Sequence, residues 1–158
     1  MTDANNRAQT AVIHLRPYAQ TDLEETVRLW YRVWHDTFPE LAHPQTLAEW
    51  QTRFRDELAP HDTIWVAETD RHIVGFIVVD ERRGVVDQLF VEPDYHGGGV
   101  GTTLLGKAKA LVPTGLTLTT LAQNTSARRF YERHGFVLGE DGVNPVNGQP
   151  NVTYSWHP

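Results

Sequence analysis

The chain has 158 residues, 40% of them hydrophobic and 22% charged, a formal net charge of −6 and no cysteine. This is the size and balance of one soluble globular domain able to bury its own core, and no apolar run approaches the ~18 residues of a membrane span. Missing cysteine excludes disulfides, thiol nucleophiles and thiolate metal sites, and the acidic balance excludes a general nucleic-acid binder, which shows a basic face.

The polar start "MTDANNRAQT" lacks the basic-then-apolar pattern of a signal peptide. A disordered tail over 1–10, a single domain over 11–158 and a cytoplasmic home are the expectations. "VIHLRP" (12–17) reads as a first strand. A helix follows with Leu23, Val27, Trp30 and Trp34 at helical spacing, opened by a capping-box pattern at Thr21 and Glu24. A second capping box, Thr46 with Glu49, opens a helix whose stripe is Leu47, Trp50, Phe54 and Leu58.

Strand-like runs cover 63–68, 73–80 and 85–91, and their short polar connections suit an antiparallel meander. "GTTLLGKAKALV" reads as a helix stopped near Pro113, and "LTLTTL" as a strand. "NTSARRFYERHG" is a helix with Asn124 or Thr125 as N-cap and Gly135 just past its end. "FVLGE" and "NVTYSW" close the chain as strands. An antiparallel middle with one late crossover makes the fold class α+β, with a mixed, mostly antiparallel sheet of about seven strands and about four helices.

"DYHGGGVGTTLL" places Gly97, Gly98, Gly99 and Gly101 at the entrance of a helix. Backbone N–H groups there, reinforced by the helix dipole, make a phosphate cradle. A Walker loop needs lysine directly after its last glycine, but Thr102 follows Gly101. A dinucleotide fingerprint needs a third glycine where Thr102 or Leu104 stands. Both architectures are excluded. The only lysines, Lys107 and Lys109, follow the loop; they read either as a solvated helix face or as a positive region near a bound phosphate.

The pattern "VEPDYHGGGVGTTLL", with His96, Gly99 and Gly101 at its marked positions, resembles the pyrophosphate loop of the GCN5-related N-acetyltransferase (GNAT) superfamily. Its second signature is matched by "NTSARRFYERHGF", through Asn124, Ala127, Phe130, Tyr131, Gly135 and Phe136. The resemblance covers nearly the whole chain and is similar to a broad bacterial branch of mostly unassigned acceptors. His96 departs from it, standing where Gln or Arg is usual.

The resemblance implies an acetyl-CoA-dependent N-acetyltransferase that moves an acetyl group directly to a primary amine, of a small molecule or a peptide, in a ternary complex. Acetyl-CoA is then expected on Leu89, Phe90 and Val91 between two splayed strands, and on His96, Gly97, Gly98, Gly99, Val100, Gly101 and Thr102. A side chain at Gly99 or Gly101 is expected to crowd the pyrophosphate. Asn124 reads as a pantetheine contact or a plain N-cap. Tyr131 reads as the general acid for the departing thiolate, or as packing. Asp87 reads as general base, ammonium anchor or exposed strand residue. The acceptor wall is expected from the first two helices, at Trp30, Trp34, His35 and Phe38, unless these are core. The histidines show no metal-ligand pattern, so no metal is expected. Neither membrane nor nucleic acid is an expected partner, and a homodimer stays open. The alternative is a non-catalytic CoA-binding or sensor domain of the same fold.

Overall fold

The computed structural model describes residues 12–158; the tail expected over 1–10 lies outside them. Seven strands form one sheet: β1 (His14–Pro17), β2 (Thr63–Thr69), β3 (His72–Asp80), β4 (Val85–Val91), β5 (Leu116–Leu121), β6 (Val137–Val143) and β7 (Pro150–Trp156). Their order is β1-β2-β3-β4-β5-β7-β6. Among the described residues only β4 and β5 pair in parallel. The helices are α1 (Leu23–Thr37), α2 (Leu47–Arg53, extended by a π turn over Phe54–Leu58), α3 (Val100–Leu111) and α4 (Thr125–Arg133). The α+β reading holds, with β6 running beyond the expected 136–140 because it pairs with β7 as far as Val143↔Pro150.

Strand β3 is central, so its run is apolar on both faces, and alternation sends side chains to two separate cores. Ile77 and Val79 pack with Leu104, Leu105 and Ala108 of α3. Phe76 and Val78 pack with Val27 and Trp30 of α1 and with Trp50 and Phe54. Gly75 lets α3 lie directly on the sheet, since a Cβ there would meet the Phe90 carbonyl at 3.1 Å and Val100 and Leu104 at 3.2 Å.

The capping box at Thr46 forms: its Oγ1 accepts from the Glu49 N–H, and Glu49 Oε1 accepts from the Thr46 N–H, both at 3.2 Å. The one expected at Thr21 and Glu24 does not. Residues Gln20–Asp22 wind as a 3₁₀ turn, Asp22 accepts from the Ala19 N–H at 2.8 Å, and Glu24 pairs with Arg28. Asp22 also binds Arg16, which reaches Glu68 as well and pins the edge strand β1.

The feature that positions the site is a failure of pairing. Strands β4 and β5 are joined only at Val85↔Thr117 and Val86↔Leu118, then part. Opposite this point the β3–β4 register shifts between Val78 and Val79, leaving Asp87 as an extra residue on β4. A bulge bends its strand and increases its twist, here turning β4 away from β5.

Candidate active site

The parted strands open into a cleft of about 1340 Å³, bordered by β4, β5, the glycine loop, α4, α1 and α2. Fourteen of the expected contacts border it and three do not. Trp30, Trp34, Phe38, Asp87, Leu89, Phe90, Val91, His96, Gly97, Gly99, Gly101, Thr102, Asn124 and Tyr131 all line it. Gly98 and Val100 do not: the Gly98 N–H is turned inward to the Tyr95 carbonyl at 3.2 Å, and the Val100 side chain is buried in the core. His35 also lies outside, its Nδ1–H donating to the Tyr31 carbonyl at 2.7 Å.

Helix α3 begins at Val100 with Gly99 as its N-cap, and the Thr103 N–H is the first to find an intrahelical carbonyl, that of Gly99. The N–H groups of Val100, Gly101 and Thr102 therefore have no helical partner, which makes an anion cradle at the loop. Val100 belongs to it through its main chain alone. Gly97 and Gly99 have φ of +82° and +85°, with open space around a built Cβ, whereas a Cβ at Gly101 would meet the Phe130 ring at 3.2 Å. Within the protein itself the glycines serve backbone conformation at 97 and 99, and helix packing at 101.

The Glu92 N–H donates to the Val74 carbonyl at 2.8 Å. Antiparallel alternation then turns the Phe90 main chain toward β3 and leaves those of Leu89 and Val91 facing the opening. Phe90 contributes its ring, stacked on Phe76. His96 uses Nε2–H to bind the Val91 carbonyl at 2.9 Å, so its side chain closes on the strand end. Asn124 is an N-cap, its Oδ1 accepting from the Ala127 N–H at 3.2 Å, while its side chain still borders the cleft.

Lys107 lies 3.8 Å over the Trp65 ring, and Lys109 donates to the His134 carbonyl at 2.7 Å. Both lysines brace the fold and neither lines the cleft. The positive groups that do are Arg53, Arg129 and Arg133, and Asp87 is the only carboxylate among the lining residues. Sequence reasoning passed over these arginines because helical spacing alone does not tell which face meets a cleft.

Tyr131 is 8% exposed and sits among Phe130, Phe136 and Tyr154, where burial lifts its phenol far above the ordinary value. It is a protonated donor at any working pH. Asp87 meets two carboxylates unforeseen from sequence, Asp62 before β2 and Asp80 at the end of β3; oxygens of all three lie within 4.8 Å of one another. Burial, then the hydrogen bond and charge of Asp87, push the Asp62 carboxyl up to about 7. Three strands bring these residues together from distant positions, and no local motif announces it.

The cleft thus joins an anion cradle at one end of a split sheet to a protonated phenol beside the split. The family model of the acetyltransferase (GNAT) domain matches residues 60–138, and the chain belongs to that family. It is 34% identical over 141 residues to the peptidyl-lysine N-acetyltransferase YjaB of Salmonella typhimurium, covering 88% of this chain and 93% of that protein. The YjaB of Escherichia coli is 33% identical over 144 residues, covering 88% and 92%. The solution structure of apo-form YjaB from Escherichia coli superimposes with a TM-score of 0.72 at 30% identity, over 92% of this chain and 97% of that one. A GCN5-related N-acetyltransferase from Rhodopseudomonas palustris shares the fold, with a TM-score of 0.75 at 23% identity over 92% and 95%. The chain is an acetyl-CoA-dependent N-acetyltransferase.

Proposed function

We propose that the protein acetylates the side-chain amine of lysine in a peptide or protein by direct transfer from acetyl-CoA. The observation carrying this reading is that Tyr131 and Asp87 line one cleft with the N-terminus of α3. The two YjaB relatives are named peptidyl-lysine N-acetyltransferases, which supports the acceptor class.

Acetyl-CoA supplies an acetyl thioester whose cleavage releases a thiolate. The N–H groups of Val100, Gly101 and Thr102 hold its pyrophosphate, and the main chains of Leu89 and Val91 bind its pantetheine arm like an added strand. For the Val91 carbonyl to serve, His96 must swing off it. The Asp87 carboxylate anchors the incoming ammonium and accepts its proton, since only the free amine attacks. Asp62, hydrogen-bonded behind it, spreads that proton over two carboxylates. Tyr131 Oη donates its proton to the sulfur as the carbon–sulfur bond breaks.

The test is thiol release from acetyl-CoA with lysine peptides and with Nε-blocked controls. Tyr131→Phe keeps the ring and removes one proton, so kcat should fall about 100-fold with acetyl-CoA affinity unchanged. An unchanged kcat removes Tyr131 from the chemistry, and equal turnover of the blocked peptides removes the lysine acceptor.

A further inference from the structure

We infer that the α1/α2 end of the cleft is a subsite for a carboxylate carried by the acceptor, bound by the Arg53 guanidinium and by the Nε2–H of His43. This rests on the reading of that end as the acceptor half, and it adds a chemical class to the acceptor.

The His43 tautomer follows from its neighbours. Its Nδ1 faces two donors, the Gln45 main-chain N–H at 3.1 Å and the Trp50 indole N–H at 3.4 Å. Neither can accept, so Nδ1 carries no proton and the ring proton sits on Nε2. Burial, then the charges of His35 and Arg53, hold the ring below its ordinary pKa and keep it neutral; Glu49 acts weakly the other way.

Arg53 lies 5.6 Å over the Trp30 ring. Among the described residues its ion-pair partner is Glu57, whose carboxylate stands 3.9 Å from Nε with its side chain 71% exposed, too far for a hydrogen bond. Among the described residues no hydrogen bond occupies the guanidinium. Its fork and the His43 Nε2–H are thus donors at the same end of the cleft. Aromatic walls enclose them: Trp30 and Trp50 are 4.4 Å apart between centroids, His43 and Trp50 4.7 Å, Trp34 and His43 5.0 Å. Thr37 also lines this end, but its hydroxyl donates back to the Val33 carbonyl at 2.7 Å.

A guanidinium without a hydrogen-bonded partner and a neutral donor on apolar walls select a planar anion, and guanidinium geometry matches a carboxylate with two parallel bonds. Asp87, on β4, is the carboxylate that receives the ammonium. The cleft therefore offers opposite charges to the two ends of one acceptor. Either a free amino acid with a distal amine or a lysine peptide with a neighbouring carboxylate supplies that chemistry.

The experiment has a binding arm and a turnover arm. Trp30, Trp34 and Trp50 report the subsite, so hexanoate is titrated by tryptophan fluorescence without acetyl-CoA. Arg53→Met, which keeps the packing on Trp30, should weaken hexanoate binding about tenfold or more, and Arg53→Lys should recover part of the loss. In turnover, ε-aminocaproate should exceed hexylamine in kcat/KM about tenfold, and lysine tripeptides ending in a free acid should exceed their amides. Whichever pair discriminates more strongly names the source of the carboxylate. Both preferences should vanish in Arg53→Met while the KM for acetyl-CoA stays unchanged, which separates this role from a phosphate contact. Equal turnover of acid and neutral amines by the wild type, or a preference surviving in Arg53→Met, overturns the subsite and leaves N-acetyl transfer intact. If hexanoate binds in an Arg53-dependent way but no lysine peptide is acetylated, the subsite stands and the peptide-lysine reading fails.

Discussion

Asp62 and Asp87 approach each other at the bulge of β4, and their mutual repulsion has a measurable consequence for stability. The ordinary carboxyl value of Asp62 is 3.8, and in the fold it is pushed up to about 7, by burial first and then by Asp87. The folded chain therefore binds this proton more tightly than the unfolded one. The resulting stabilisation is complete below pH 3.8 and is lost as pH rises through about 7. Asp62→Asn removes the titration and offers Asp87 an amide donor. The variant should melt with the wild type near pH 4 and increasingly above it from there to pH 8; parallel melting curves across that range would remove the shared proton. At Gly99 the issue is backbone alone. With φ at +85° and open space around a built Cβ, Gly99→Ala should lower stability by about 1–2 kcal/mol, the cost of the left-handed conformation. Denaturant melts measure it, and a loss under half of this would mean that the loop relaxes to another conformation.

Helix α2 carries Trp50 and Arg53 to the cleft and depends on one local device. Thr46 and Glu49 satisfy each other's main-chain donors at its entrance, and with only seven residues in regular α form the helix has little else of its own to hold it. Thr46→Ala should cost about 1 kcal/mol in denaturant melts. It should also raise hydrogen exchange over Leu47–Arg53 before other elements, and unchanged exchange there would mean that core packing alone holds the helix. This cap was legible because both partners lie three residues apart. The equally plausible pair Thr21 and Glu24 misled because a distant side chain, Arg16, draws Asp22 into a tighter turn. The same distinction governs the site. The α3 cradle and Tyr131 sit in contiguous motifs and could be read from the chain. The Asp62–Asp80–Asp87 cluster depends on the register of β2, β3 and β4, including a bulge that alternating hydrophobicity cannot locate. His43 and Arg53 depend on how α1 and α2 cross, which their stripes leave open.

At the scale of the molecule, charge separates the cleft from the rest of the surface. The chain as a whole carries −6, yet Arg53, Arg129 and Arg133 line the cleft against the single carboxylate Asp87. A highly anionic cosubstrate approaching an acidic protein is repelled at long range and drawn in only near this opening. Positive groups along a cleft wall concentrate the field there and guide the last part of the approach. Arg129 and Arg133 are exposed on α4, the helix bordering the cradle. Arg128 is instead engaged with the Tyr154 hydroxyl at 3.0 Å and the Ala122 carbonyl at 3.0 Å. The contribution of each exposed arginine to phosphate binding is screened, about 0.5–1 kcal/mol. Replacing both by glutamine should therefore weaken CoA binding about five- to thirtyfold in calorimetry at low salt. Raising the salt from about 0.05 to 0.5 M shortens the Debye length to a few ångströms. The wild-type affinity should then drop toward that of the double variant, while the variant changes little. Arg128→Gln should leave the salt dependence intact and lower stability instead, because its bonds lie within the fold. A wild-type affinity insensitive to salt would mean that the main-chain cradle of α3, not the charge of the cleft wall, draws the phosphates in.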